Sequence, residues 1–327
     1  MSHYTVLCNL GTDIDPTEDE AVREKLAELL APYDESMDVE PYKKYMDKEE
    51  KGRRAMSCTE PYTSGGKDSK TYGPSLDRRW VNDPPTPRAF AEKYRAEHPE
   101  ERTIPDDNWK AVQEQYKAEL EAIADLYTDE EVAKAINDYW GHDEEDEDDS
   151  DTQYADENGI YRMTTYNPDS KWDWYSVGGR WQGYFTTKGA GLLGEPGVFG
   201  SGQINPNEVD VLRVEDIDWD AMKRSSIEQS MRYYDEAGAD QLLSWEDGVK
   251  KSDVTREEWQ ERKEREWAPA THSICDPVQG WLQREKMGWF GMGYDQTMTY
   301  DQWTVAWKQY IEGLDPKTVV AVVDCHI

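Results

Sequence analysis

Cysteine pairs, long apolar runs and excess positive charge are all missing from this chain of 327 residues. Its four cysteines (Cys8, Cys58, Cys275, Cys325) are scattered without a CxxC pair. That spacing argues against a zinc site and a disulfide framework, and fits free thiols in a reducing cytoplasm. No run approaches the length of a membrane span, and the N-terminal stretch has no apolar signal region, so no membrane partner is expected. Lysine and arginine total 37 against 70 acids, a net charge of −33. Direct binding to a nucleic-acid backbone is therefore not expected. Solubility in a salty interior and mimicry of DNA charge both remain open. Phenylalanine is scarce too, 4 residues beside 14 Trp and 20 Tyr. The aromatic area thus comes with N–H and O–H groups, which suit half-wet pockets as well as cores. Mean hydropathy is −0.99, so much of the chain must be surface or insertion.

What is present reads as one α+β domain over residues 1–327. "HYTVLCNL" (His3 to Leu10) has strand formers. "PTEDEAVREKLAELLAPYDE" begins acidic, repeats apolar residues at Val22, Leu26, Leu29 and Leu30, and stops at Pro32, which predicts a short amphipathic helix. From Lys43 to about Pro87 no periodicity is sustained, so mostly loop is expected. Helical spacing from Asp106 to Tyr139, broken near Thr128, predicts a helical insertion around 88–140. "HDEEDEDDSD" (142–151), with eight acids in ten residues, reads as a flexible, self-repelling linker. "GIYRMTTY" and "GRWQGYFTT" are strands expected to enter and leave a tryptophan-rich segment as a hairpin. Helical, charge-dense sequence runs from about Trp219 through Trp267, and another amphipathic helix covers Asp301 to Leu314. "KTVVAVVDCHI" closes as an almost continuously apolar strand, which belongs in the middle of a sheet. The economical arrangement is a mixed or antiparallel central sheet containing both terminal strands.

"MSHYTVLCNLG", "LAPYDESMDVEPY", "NPDSKWDWYSVGGRW", "DIDW" and "VVDCHI" resemble the landmarks of an uncharacterised family of bacteriophage proteins. Its members open with an MSHFTVLVIG-like strand, carry LAPYDEN and NPxSKWDWYxIGGRW, and end in VDCHI. The resemblance implies a phage origin and a host-cytoplasm setting, without implying a reaction. The chain departs from it in "VLCNLGTDID".

Two constellations carry chemistry. His3 and Thr5 share one face of the first strand, and Asp324 and His326 one face of the last. "His3-Tyr4-Thr5" is similar to half of the two-histidine phosphoesterase signature, in which one imidazole is base and the other acid. The second half has no counterpart, since only Ile327 follows His326, and mutual structural satisfaction of these groups is the competing reading. The second constellation is "NPDSKWDWYSVGGRW". Lys171, Trp172, Trp174, Tyr175, Arg180 and Trp181 form either a stacking wall with an anion-binding side, or a hairpin packed on the sheet whose bases pair with Asp169 and Asp173. Gly178-Gly179 makes the turn or permits close backbone approach. Trp172 and Trp174 would share a face if the segment were extended. Asp216, Asp218 and Asp220 lack the order of a calcium loop and are adequately explained as acids starting a helix. No metal and no cofactor are expected.

These observations predict an intracellular phage protein that binds a nucleotide-like small molecule, by sequestration or metal-independent phosphodiester cleavage, and so counters host nucleotide-signalling defence. The alternative is an acidic, non-enzymatic protein that inhibits a host defence protein, with DNA-charge mimicry as one route.

Overall fold

The computed structural model describes residues 2–57, 114, 117–118, 120–140, 151–197, 204–244, 248–287, 293–294 and 296–327. Two compact units emerge, Met1–Asp38 with Tyr166–Ile327, and Val39–Thr165. The first unit begins with β1 (His3–Gly11) and α1 (Asp19–Leu30). The second holds β2 (Tyr42–Tyr45), α2 (Lys48–Ser57), α3 (Asp129–Trp140), β3 (Tyr154–Asp156) and β4 (Gly159–Thr164). The first resumes with β5 (Trp174–Gly179), β6 (Phe185–Thr186), β7 (Gly191–Leu192), β8 (Glu195–Pro196), β9 (Glu208–Val209) and β10 (Val211–Arg213). Then come α4 (Trp219–Glu236), α5 (Arg256–Glu266), β11 (Ser273–Asp276), β12 (Gly280–Gln283), β13 (Lys286–Met287), β14 (Gly293–Tyr294), α6 (Tyr300–Glu312) and β15 (Val319–His326).

The fold is α+β, and both terminal strands lie inside one mixed sheet of order β12-β11-β1-β15-β10-β7. All eight residues of β15 are buried, as a continuous apolar run requires of a central strand. Along one edge β15 pairs antiparallel with β1 from His3↔His326 to Gly11↔Val319. Its other edge is divided: β10 takes Val319 to Ala321, and β5 takes Val323 to His326. β1 pairs parallel with β11, which makes the sheet mixed.

Period-two alternation sends the two faces of β1 and β15 into different cores. Tyr4, Val6, Cys8, Leu10, Val323 and Cys325 pack with Val22, Leu26 and Leu30 of α1. Leu7, Val320 and Val322 pack with Trp303, Trp307 and Ile311 of α6. α6 starts with a reciprocal cap, in which Gln302 N–H donates to Thr299 Oγ1 (3.2 Å) and Thr299 N–H to Gln302 Oε1 (2.9 Å). Asp218 caps α4 by accepting from Ala221 N–H at 3.0 Å, so "DIDW" is a helix start. Among the described residues no group of three or more acids, histidines or cysteines is placed to hold a metal. No described helix is long and apolar enough to cross a membrane.

The hairpin expected around the tryptophan segment does not form. β4 pairs with β2 and β3 in the second unit, while β5 pairs with β15 and β8. The physical reason is β15, whose edge beyond β10 offers β5 a place inside a buried sheet, from Val323↔Val177 to His326↔Trp174. The expected loop after Lys43 also carries structure as far as it is described, namely β2 and α2. The break near Thr128 is a helix start, with Glu131 N–H on Thr128 Oγ1 at 3.2 Å and α3 following. Residues 88–113 of the helical insertion and 142–150 of the acidic linker lie outside the described residues. Asp151 ion-pairs with Arg162 at 2.5 Å.

Candidate functional site

The antiparallel register puts His3 opposite His326 and Thr5 opposite Asp324. The β5 register puts Trp174 opposite His326 and Ser176 opposite Asp324. Directly opposed residues point to the same face. The terminal histidines and one tryptophan of the central motif therefore meet at one end of the sheet face that α6 covers further along. Trp174 is thus the residue of the tryptophan segment that the register brings to the terminal histidines.

Each imidazole is held by its own carboxylate. His3 Nδ1 lies 2.8 Å from Asp324 Oδ1, and His326 Nδ1 lies 2.6 Å from Asp173 Oδ1. An ionised carboxylate can only accept, so Nδ1 carries the proton in each neutral ring and Nε2 carries the lone pair. The ring centroids are 4.9 Å apart, at 70°. Trp174 stacks on His326 (5.2 Å, 17°) and meets His3 edge-on (5.2 Å, 79°). His326 is 5% exposed, and its Nε2 is buried without a hydrogen-bond partner among the described residues. A buried nitrogen in that state costs free energy unless a ligand or water completes it.

The backbone around Asp173 explains this convergence. Asp173 N–H donates to His326 O at 3.0 Å, extending the β5–β15 ladder by one residue. The chain bends there, so Trp172 and Trp174 do not share a face. Trp172 turns into the α1 core at 8% exposure and donates its indole N–H to Leu30 O (3.1 Å). Tyr175 packs on the same core, edge-on to Trp172 at 5.0 Å. These two rings are core, not ligand wall. Lys171 also stands on the Tyr33 side, with its N–H on Tyr33 O (2.7 Å) and its carbonyl accepting from the Tyr4 hydroxyl. Burial pulls the Lys171 ammonium below its ordinary pKa.

Gly178 (φ 75°) and Gly179 (φ 56°) end β5 in the left-handed region. A Cβ on Gly179 would stand 2.4 Å from Asp324 Cβ and 2.6 Å from Ser176 Oγ. The close backbone approach expected of this pair is thus made to Asp324. It lets Arg180 N–H donate to Asp324 Oδ2 at 2.9 Å, and Trp181 N–H closes the turn on Gly178 O at 3.0 Å. A second buried carboxylate, Asp210, accepts from the N–H groups of Gly183, Tyr184 and Gly194 at 2.8, 3.0 and 2.9 Å. Burial pushes its carboxyl above the ordinary value, while those three donors pull it down.

Thr5 shares the histidine face, but its hydroxyl accepts from His272 N–H at 3.1 Å. That partner is the residue just before β11 rather than either terminal imidazole. His272 was not singled out by sequence. Its Nδ1 lies 2.8 Å from Ser273 Oγ, and burial pushes its pKa down to about 4. Asp173 is the other residue missed. The sequence offered it as a partner for Lys171 or Arg180, and nothing local reveals that it faces His326, 153 residues away.

No family model, curated protein or solved structure matches the chain. Its function must be argued from these residues.

Proposed function

We propose that the protein binds a nucleotide-like small molecule at the His3–His326 pair and cleaves a phosphodiester in it, with no metal required by the step. One observation carries this reading: two imidazoles 4.9 Å apart, each with Nδ1 fixed on a separate carboxylate. Such rings present Nε2 for proton transfer, one as base and the other, entering protonated, as acid. The base takes a proton from water as the water oxygen bonds phosphorus. The acid gives its proton to the departing oxygen as that P–O bond breaks, leaving a monoester and an alcohol. Arg180, directly after the turn that touches Asp324, is the proposed phosphate contact, because its planar fork holds two oxygens. The likeness to a phage family supports placing this activity in a host cytoplasm, where it would counter nucleotide-based defence signalling.

A second reading has an observation of its own. A cleft of about 640 Å3, lined by Lys44, Arg54, Trp140 and Arg162 among others, lies in the second unit rather than at the histidines. The exposed Trp174 over the buried His326 also suits a non-enzymatic acidic protein that docks on a host defence protein, by DNA-charge mimicry or otherwise.

The test is a panel of cyclic and linear nucleotides incubated with the protein in EDTA, with chromatography of products. Cleavage that falls about 100-fold or more in both His3→Ala and His326→Ala is expected. Turnover unchanged in either variant, or absent from the wild type across the panel, moves the docking reading ahead.

A further inference from the structure

We infer that Trp174 is the platform on which the base of the substrate stacks, so that the substrate class is a phosphodiester bearing a planar nucleobase. The inference rests on the proposed phosphodiesterase site and deepens it. Of the three aromatic residues from Trp172 to Tyr175, two are consumed by the α1 core, and Trp174 alone stands on the histidine face. It is 42% exposed, although β5 holds its backbone in register against β15. The His326 ring stacks on the indole at 17°, and His3 meets it at 79°.

An indole held in place on one side and open on the other has already lost its rotamer freedom. A flat ring added to the open side gains contact area at small ordering cost. Every base has a π-face, so such a platform selects for the presence of a base more than for its identity. The same stack would set the base two layers from His326, with the His3 ring 5.2 Å from the indole, within reach of a sugar–phosphate extending from that base. The partnerless His326 Nε2 in the buried layer under this platform is an independent sign that a polar ligand atom completes the site.

Two chromogenic diesters separate the base from the chemistry: thymidine 5′-(4-nitrophenyl phosphate) and methyl 4-nitrophenyl phosphate. Both release 4-nitrophenolate, and only one carries a base. The wild type is expected to favour the thymidine ester in kcat/KM by about 5- to 100-fold, the span of one base–aromatic stack. Trp174→Leu should bring that ratio near unity, and Trp174→Phe, which keeps a ring, should restore part of it. A ratio that Trp174→Leu leaves unchanged overturns the inference while the cleavage reading stands. If the wild type hydrolyses neither ester, the cleavage reading fails and calorimetry with adenosine 5′-monophosphate decides the platform. Affinity lost about 5- to 100-fold in Trp174→Leu then supports it, and equal affinity, or none in the wild type, overturns it.

Discussion

At the scale of single residues, the pairing of His326 with Asp173 is the contact on which the site depends and which no local pattern announces. Asp173 bonds His326 twice, through its carboxylate to Nδ1 and through its N–H to the carbonyl. Replacing the carboxylate with an amide leaves the shape and allows the wrong tautomer, with the proton on Nε2. Asp173→Asn should therefore lower kcat on any cleaved diester by about tenfold or more while the thermal midpoint changes little, because that side chain is 32% exposed. Equal loss from Asp173→Asn and from a remote surface change would sink the role. Asp324→Asn is a different case, because its side chain is 1% exposed and serves both His3 and Arg180 N–H. It should cost activity and about 1–3 kcal/mol in urea unfolding together. His272 gives a pH signature of its own. Its pKa falls from 6.5 unfolded to about 4 folded, since burial disfavours the imidazolium. The unfolded chain therefore binds the proton first as pH drops. Stability from this group is complete above 6.5 and is lost as pH falls toward 4, about 2 kcal/mol of it by pH 5. Urea titrations at pH 7 and pH 5 should show that loss in the wild type and a smaller one in His272→Gln.

At the scale of elements, legibility followed burial. β15 could be read from Val319 to Val323 because a run without polar breaks has one place in a sheet, and α1 from its Val22, Leu26, Leu30 spacing. β2, "YKKY", and α2, "KEEKGRRAMS", could not, because neither carries an apolar stripe. α2 is held by Ala55, buried in a core with Val132 and Ile136, by Glu-to-Arg pairs one turn apart, Glu49–Arg53 and Glu50–Arg54, and by close backbone contact at Gly52. The partner of β5 was illegible for another reason. Its own residues do not say whether the neighbour is β4, a few residues back, or β15, at the far end of the chain. Glycines test these packings with opposite signs to propensity. In an exposed helix Gly→Ala stabilises by about 1 kcal/mol, but a Cβ on Gly52 would sit 1.9 Å from Leu120 O. Gly52→Ala should destabilise the second unit, read as earlier loss of helical signal on heating. Gly179→Ala should cost about 2–3 kcal/mol in urea, combining left-handed strain with the clash on Asp324. Gly11, left-handed at φ 81° with nothing within 4 Å of its Cβ position, should cost only about 1 kcal/mol.

At the scale of the whole molecule, a net charge of −33 sits awkwardly with an anionic substrate, and that conflict is itself measurable. On the proposed reading, a phosphodiester would approach through a repulsive field and then meet fixed local groups at the histidine face. Salt acts oppositely on these two parts. The long-range field is screened within about 10 Å at 0.1 M salt and about 30 Å at 0.01 M. The proposed contact of Arg180 with a phosphate would be short-range, so salt would weaken it less. Binding sites on basic proteins lose affinity as salt is added, because attraction steers the ligand in. Here the remote charge opposes approach, and screening should help. For any diester that is cleaved, KM is expected to fall between 0.01 M and 0.15 M NaCl, with kcat nearly constant because proton transfer between held groups does not sense the distant field. The folded state should gain as well, since compacting so many like charges costs free energy that salt relieves, and the thermal midpoint should rise over the same range. Arg180→Ala separates the two effects: it should raise KM about tenfold at either ionic strength while leaving the direction of the salt response unchanged. A KM that climbs steadily with salt would mean that local basic groups dominate the field at the site, and that the surface acidity lies too far away to matter for the ligand.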